Sequence, residues 1–110
     1  MDGIFQLFNW RERDSYYFRL IGNNKEILLS SEGYRTKAAC ENGIASVKYN
    51  SQKDDRFRIK ISANGKHYFN LIASNGQIVG TSSTYTSVEA CKNRVEIIKK
   101  IAKDAPTAYL

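Results

Sequence analysis

Between residues 57 and 61 apolar and cationic side chains alternate without interruption, Phe57, Ile59 and Ile61 against Arg58 and Lys60. A period of two marks a strand with one buried face, so this segment predicts a β-strand. Ala63-Asn64-Gly65-Lys66 supplies an Asn-Gly turn, His67 to Ala73 read as a second strand, and Ile78 to Ser82 as a third. The link between the last two, Ser74-Asn75-Gly76-Gln77, predicts a two-residue hairpin turn with both central residues at positive φ. Past Ser82 the apolar period lengthens to 3.6, and Ala90, Cys91, Val95, Ile98, Ile101 and Ala102 share one face of a helix predicted over about 88–103. Ser87 stands where an N-cap hydroxyl accepts an orphan backbone N–H; Thr86, with Glu89 three residues on, offers a competing start one residue earlier.

The N-terminal half has the same order. Ile4–Phe8, Tyr16–Gly22 and Glu26–Ser31 read as strands, with turns at Arg13-Asp14 and Asn23-Asn24. Ala39, Cys40, Gly43, Ile44 and Val47 then line one face of a helix over about 37–49, with Thr36 at its N-cap. Laid over itself at an offset of 51, the chain matches 17–50 to 68–101 with twelve identities in thirty-four positions, among them Tyr17/Tyr68, Phe18/Phe69, Ser31/Ser82, Tyr34/Tyr85 and Cys40/Cys91. Chance would give about two. The chain is therefore read as one domain over 1–110 built by tandem duplication of a β-β-β-α unit, repeat one about 3–50 and repeat two about 56–103. Asn50 to Asp55 is a polar connection, and Pro106 closes the second helix region ahead of a loose tail.

A lone three-stranded meander with one helix has open edges and a thin core, so the two copies are expected to share one core by pseudo-twofold packing. The expected fold is α+β, a mostly antiparallel six-stranded sheet with two helices packed on one face. Phe5, Leu7, Phe18, Leu20, Phe57, Ile59, Phe69 and Leu71 should face the helices. Strand order between the copies stays open, including exchange of a strand.

Composition narrows the functional classes. With 110 residues, 42% hydrophobic and 25% charged, one Pro and seven Gly, collagen-like, disordered and disulfide-scaffold readings are excluded. The longest aliphatic run, Ile27-Leu28-Leu29, is far short of a membrane span, and Met1-Asp2-Gly3 lacks a signal peptide's basic start; a cytoplasmic protein with no membrane association is expected. One histidine (His67) and two cysteines give no metal set, and no cofactor is implied. The net charge of +6 is uneven: residues 1–51 carry seven basic and six acidic groups, residues 52–110 ten and five. Such a surplus attracts polyanions, and it also serves solubility.

Ser31-Glu32-Gly33-Tyr34-Arg35-Thr36-Lys37, followed by Cys40, Asn42 and Gly43-Ile44-Ala45-Ser46-Val47-Lys48, resembles the signature of the YegP-like family of small uncharacterised bacterial and archaeal proteins. Phe69-Asn70-Leu71, Asn75-Gly76-Gln77, Ser82, Tyr85 and Cys91 look like its second copy, and the resemblance runs from Phe5 to Lys103. Two departures stand out: Asn24-Lys25 in place of the family's Asn-Gly, and Arg94-Val95-Glu96-Ile97-Ile98 in place of Gly-Ile-x-Ser-Val. The resemblance implies an α+β tandem-repeat fold and no established activity.

Three residue sets bear on chemistry. Cys40 and Cys91 lie on the apolar helix faces and read as small buried hydrophobes; a thiol nucleophile would need a neighbouring base, and His67 is the only imidazole. Ser31, Tyr34, Ser82 and Tyr85 recur just before each helix, where tyrosine packs over the helix start and backbone amides near Thr36 and Ser87 suit a small anion. Alternation places Tyr17, Arg19, Tyr68, Asn70, Arg58 and Lys60 on the sheet face away from the helices. Aromatic rings among cations suit a protein interface or the stacking of single-stranded nucleic acid. No catalytic residue is assigned. The leading reading is a non-enzymatic interaction module, contacting a protein partner or a second copy through the open sheet face or edges. The alternatives are weak, sequence-tolerant nucleic-acid binding by the same residues and, last, a thiol-dependent enzyme.

Overall fold

The computed structural model describes residues 3–110; the chain-start reading of Met1 and Asp2 lies outside the described residues. Seven strands and two helices follow in the order β1 (Ile4–Trp10), β2 (Ser15–Ile21), β3 (Ile27–Ser30), α1 (Lys37–Asn50), β4 (Phe57–Ile61), β5 (His67–Ile72), β6 (Ile78–Thr81), α2 (Val88–Ile101) and β7 (Thr107–Tyr109). They form one sheet, β4-β5-β6-β3-β2-β1-β7. All neighbours are antiparallel except β1 and β7. Each copy keeps its three strands together, so no strand is exchanged. The copies meet where β3 lies beside β6, Ser30 opposite Thr81, and an approximate twofold runs through that pair.

The duplication is written into the packing. Phe5 meets Phe18 edge to face at 6.0 Å, and Phe57 meets Phe69 the same way at 5.8 Å. Both copies shift register at the same place, Leu20/Ile21 and Leu71/Ile72. Phe5, Leu7, Phe18, Leu20, Phe69 and Leu71 are buried beneath the helices together with Cys40, Val47, Cys91 and Ile98. At the helix starts Thr36 Oγ1 accepts the Ala39 N–H at 3.0 Å and Ser87 Oγ accepts the Ala90 N–H at 3.1 Å, which decides between Ser87 and Thr86.

Two expectations are corrected, the strand count with its loose tail and the turn geometry, and two are filled in by burial. The sheet has seven strands, because the residues after Pro106 form β7: Phe5 N–H donates to Pro106 O at 2.8 Å and Leu110 N–H to Leu7 O at 2.9 Å. Tyr109 Oη donates to Glu41 Oε2 at 2.6 Å while Lys37 Nζ lies 4.5 Å from its ring centre, so side chains fasten the segment as well. The turns after β4 and β5 are type I turns closed by a glycine, with only Gly65 (+82°) and Gly76 (+85°) at positive φ. Lys25 takes Gly76's place in the first copy at φ +61°, a left-handed conformation that costs an L-residue roughly 1–2 kcal/mol. Ile59 is 37% exposed, since β4 is the outermost strand and no strand among the described residues covers it as β7 covers β1. Asn50 and Ser51 are buried: Asn50 Oδ1 accepts from Arg56 Nη1 at 2.6 Å and its Nδ2 donates to Ser46 O at 2.8 Å, so the polar connection is packed down.

Candidate functional site

Among the described residues no element covers the sheet face away from the helices, and the strand register decides what it displays. One row crosses all seven strands: Arg58, Asn70, Thr81, Ser30, Arg19, Gln6 and Ala108 stand side by side. The seven strands contain no Asp or Glu, and their only Lys and Arg residues, Arg19, Arg58 and Lys60, all project from this face. An open face with three cations and no carboxylate on its strands attracts negative charge.

In the first copy a ladder of rings stands beside that row. The Arg19 guanidinium lies 5.0 Å from the centre of Phe8; Phe8 stacks on Tyr17 at 5.9 Å; Tyr17 meets Trp10 at 5.6 Å; and Arg13 closes the series 4.7 Å from the Trp10 ring. Arg19 Nε donates to Gln6 Oε1 at 2.8 Å, which fixes the guanidinium over the ring. Trp10 is 43% exposed, and the ladder borders a depression of about 420 Å³ that reaches Ile27 and Ser30. The sequence reading stopped the first strand at Phe8 and so missed Trp10; the continued alternation Gln6, Phe8, Trp10 is the signal that would have found it. Arg13 comes from the turn after β1 and carries no periodic signal.

The second copy is barer. Lys60 stands opposite Tyr68, and Arg58 opposite Asn70. Arg58 and Lys60 are exposed, Arg58 donating to the Asp55 carbonyl. Asn70 departs from the expectation of an exposed contact residue: it is 6% exposed, and its Oδ1 accepts from Thr81 Oγ1 at 3.0 Å.

The recurring polar residues before the helices hold backbone. Ser31 Oγ accepts the Phe18 N–H at 2.9 Å and donates to Glu32 O; Ser82 Oγ does the same for Phe69 and Ser83 O. Tyr34 and Tyr85 bridge to Tyr16 and His67 through the main chain. Their side chains differ. Tyr34 packs over Gly43, whereas Tyr85 Oη donates to Glu26 Oε2 at 3.1 Å and lies under Arg94, whose Nε donates to the same carboxylate oxygen at 2.7 Å. Burial, then the hydrogen bond to the Glu26 carboxylate, pushes the Tyr85 phenol up to about 12.

Neither thiol is placed for nucleophilic work. Cys40 and Cys91 are buried and unbridged. Burial, with the Glu41 charge adding to it, pushes Cys40 up to about 11, and burial raises Cys91 as well. A thiolate is the reactive form, and both sites disfavour it at neutral pH. His67 Nδ1 is enclosed without a hydrogen-bond partner. Among the described residues no three His, Cys, Asp or Glu side chains come together as a metal site, and no helix is long and apolar enough to cross a membrane.

A family model described as a domain of unknown function, DUF1508, matches residues 12–57 and again 62–108. The UPF0339 protein in the ptx operon 5′ region of Stutzerimonas stutzeri is 42% identical over 105 residues, which cover 96% of this chain and 94% of that protein. The UPF0339 protein YegP of Yersinia pestis is 44% identical over 85 residues, 77% of this chain and 76% of that one. Among solved structures, the solution NMR structure of the E. coli protein of unknown function YegP superimposes with a TM-score of 0.91 at 35% identity, covering 99% of this chain and 93% of that chain. The solution NMR structure of a UPF0339 protein from Shewanella oneidensis gives the same TM-score at 36% identity over 100% and 92%.

Proposed function

The chain belongs to the DUF1508 family of UPF0339 proteins and carries the family unit twice; from that premise we propose that it is a cytoplasmic, non-enzymatic interaction module that holds a protein partner on its open sheet face. The observation that carries this reading is the ladder Arg19, Phe8, Tyr17, Trp10 and Arg13 on a face whose strands bear no carboxylate. Tryptophan, tyrosine and arginine are the residues that dominate interface energetics, and a stacked, half-buried set loses little entropy on contact. Unbridged cysteines suit a reducing compartment. The partner surface that matches is acidic around an apolar centre.

The test is a photo-crosslinking amino acid placed at Trp10 and, as control, at the exposed helix residue Tyr49, in bacterial cells that express the chain. A defined protein adduct that forms from position 10 only, survives nuclease and is lost on Tyr17→Ala supports the reading. No adduct, or the same adducts from both positions, refutes it.

Nucleic-acid binding is favoured by one observation: Tyr17 and Tyr68 stand on the same face as Arg19, Arg58 and Lys60. It predicts single-stranded DNA or RNA affinity that falls steeply between 50 and 200 mM salt, as about three phosphate contacts require, and that is lost on Arg58→Glu with Lys60→Glu.

A further inference from the structure

The two outer strands of the duplicated unit differ in what lies beyond them. Phe57 faces Leu71 as Phe5 faces Leu20, and Ile59 faces Phe69 as Leu7 faces Phe18, so β4 is the counterpart of β1. Against the outer edge of β1 lies β7, bonded at Phe5 N and Leu7 O. Against the outer edge of β4 no strand lies among the described residues.

The unfilled groups can be named. Phe69 turns its backbone N–H and carbonyl toward Ser82, and His67 exchanges both of its backbone bonds with Tyr85. Their partners on β4, Ile59 and Ile61, therefore occupy the widely spaced pairs of the ladder, and their N–H and C=O groups point away from β5. The Phe57 N–H is taken by Asp54 O, which limits the free N–H groups of the edge to Ile59 and Ile61.

We infer that this edge receives an extended acidic segment of another protein, added as an eighth strand where β7 stands against β1. Main-chain bonds to Ile59 and Ile61 supply the affinity, as in other strand additions, and alternate side chains supply the selectivity. On the open face the added residues lie beside Arg58 and Lys60, neither of which has a carboxylate partner in an ion pair among the described residues. On the helix side they lie beside Ile59 and Ile61, 37% and 68% exposed. Further along that side Lys92 holds the position in α2 that Glu41 holds in α1, and Glu41 is the residue that fastens Tyr109 of β7. The reversed charge at that position calls for a carboxylate where β7 has a phenol. A second copy of this chain fits poorly, since antiparallel pairing centred on Ile59 sets Arg58 opposite Lys60 twice, and like charges directly opposite destabilise a ladder. The inference rests on the interaction reading in that the chain acts by binding, and it names the chemistry of what is bound.

The test titrates the full ¹⁵N-labelled chain with a blocked octapeptide alternating glutamate and valine, and with one alternating lysine and valine. The expected result is amide shifts confined to β4, with exchange at Ile59 and Ile61 slowed about tenfold when the glutamate peptide stands at ten times its dissociation constant. The lysine peptide has no effect, and Arg58→Glu with Lys60→Glu exchanges the preference. Ile59→Pro removes an outward N–H that the β4 and β5 ladder does not use; it keeps the dispersed amide spectrum and loses the peptide. Shifts centred on Trp10 and Tyr17, equal response to both peptides, or no response would overturn the edge inference and leave the crosslinking result at Trp10 to stand or fall by itself. β4 shifts that grow with protein concentration alone would overturn it in favour of a second copy.

Discussion

The phenol ring of Tyr34 lies directly over Gly43. A Cβ built on that glycine would run into Oη and come within 2.7 Å of Cζ, with Phe18 Cε2 at 2.9 Å. The equivalent residue in the second copy is Arg94, and the equivalent phenol, Tyr85, is engaged by Arg94 and Glu26. One fold therefore seats the same tyrosine in two ways, and the residue one helix turn beyond the cysteine decides which.

Gly43→Ala is expected to destabilise the chain. Overpacking costs about 1–3 kcal/mol, against a gain near 1 kcal/mol from helix propensity, so a net loss of up to about 2 kcal/mol should appear in urea denaturation. Tyr34→Phe in the same chain should recover part of it, because it removes the atom the new methyl strikes first.

Ser31→Ala and Ser82→Ala each leave a strand N–H, of Phe18 and Phe69, without its acceptor. Each should cost about 1–3 kcal/mol. Equal losses at the two sites would show that the repeated serine serves the backbone in both copies.

High pH should weaken the fold through Tyr85. Its folded phenol is pushed up to about 12 from an ordinary value of 10, so the unfolded chain gives up the proton first. The contribution is complete below pH 10 and is lost as pH rises toward 12. Tyr85→Phe should flatten that decline in denaturation curves measured across the range, and absorbance near 295 nm should show one late-titrating tyrosine disappear.

Cys40 and Cys91 should resist alkylation in the native state. With Cys40 pushed up to about 11 and both side chains buried, iodoacetamide at neutral pH should label them only as fast as the protein opens. Rapid native labelling of either would restore the thiol-enzyme reading.

Removing residues 106–110 strips β7 from β1 and bares its edge. The truncated chain should melt lower and associate with rising concentration in sedimentation, whereas the full chain should not. Tyr109→Ala, which loses the bond to Glu41 and the Lys37 contact, should show a milder form of both.

Much of the architecture was legible because it rests on short-range patterns. Alternation at 57–61 and 67–72 fixes strands, the 3.6 period after Thr36 and Ser87 fixes helices, and the offset of 51 fixes the duplication. The open-face positions of Tyr17, Arg19, Arg58, Lys60 and Tyr68 follow from the same alternation, since neighbours on a strand must point to opposite faces. Other features carry no local signal. The three residues of β7 are too few to show a period and become a strand only because β1 offers them an edge. The meeting of β3 with β6, the withdrawal of Asn70 against Thr81, and the stacking of Arg19 on Phe8 each join residues distant in the chain. The sequence by itself determined six of the strands and both helices, and which face of each is apolar, because those depend on spacing of a few residues. Only the tertiary structure decided how the elements pair, which edge is sealed and which stays open, because those depend on long-range hydrogen bonds whose partners no local period can name.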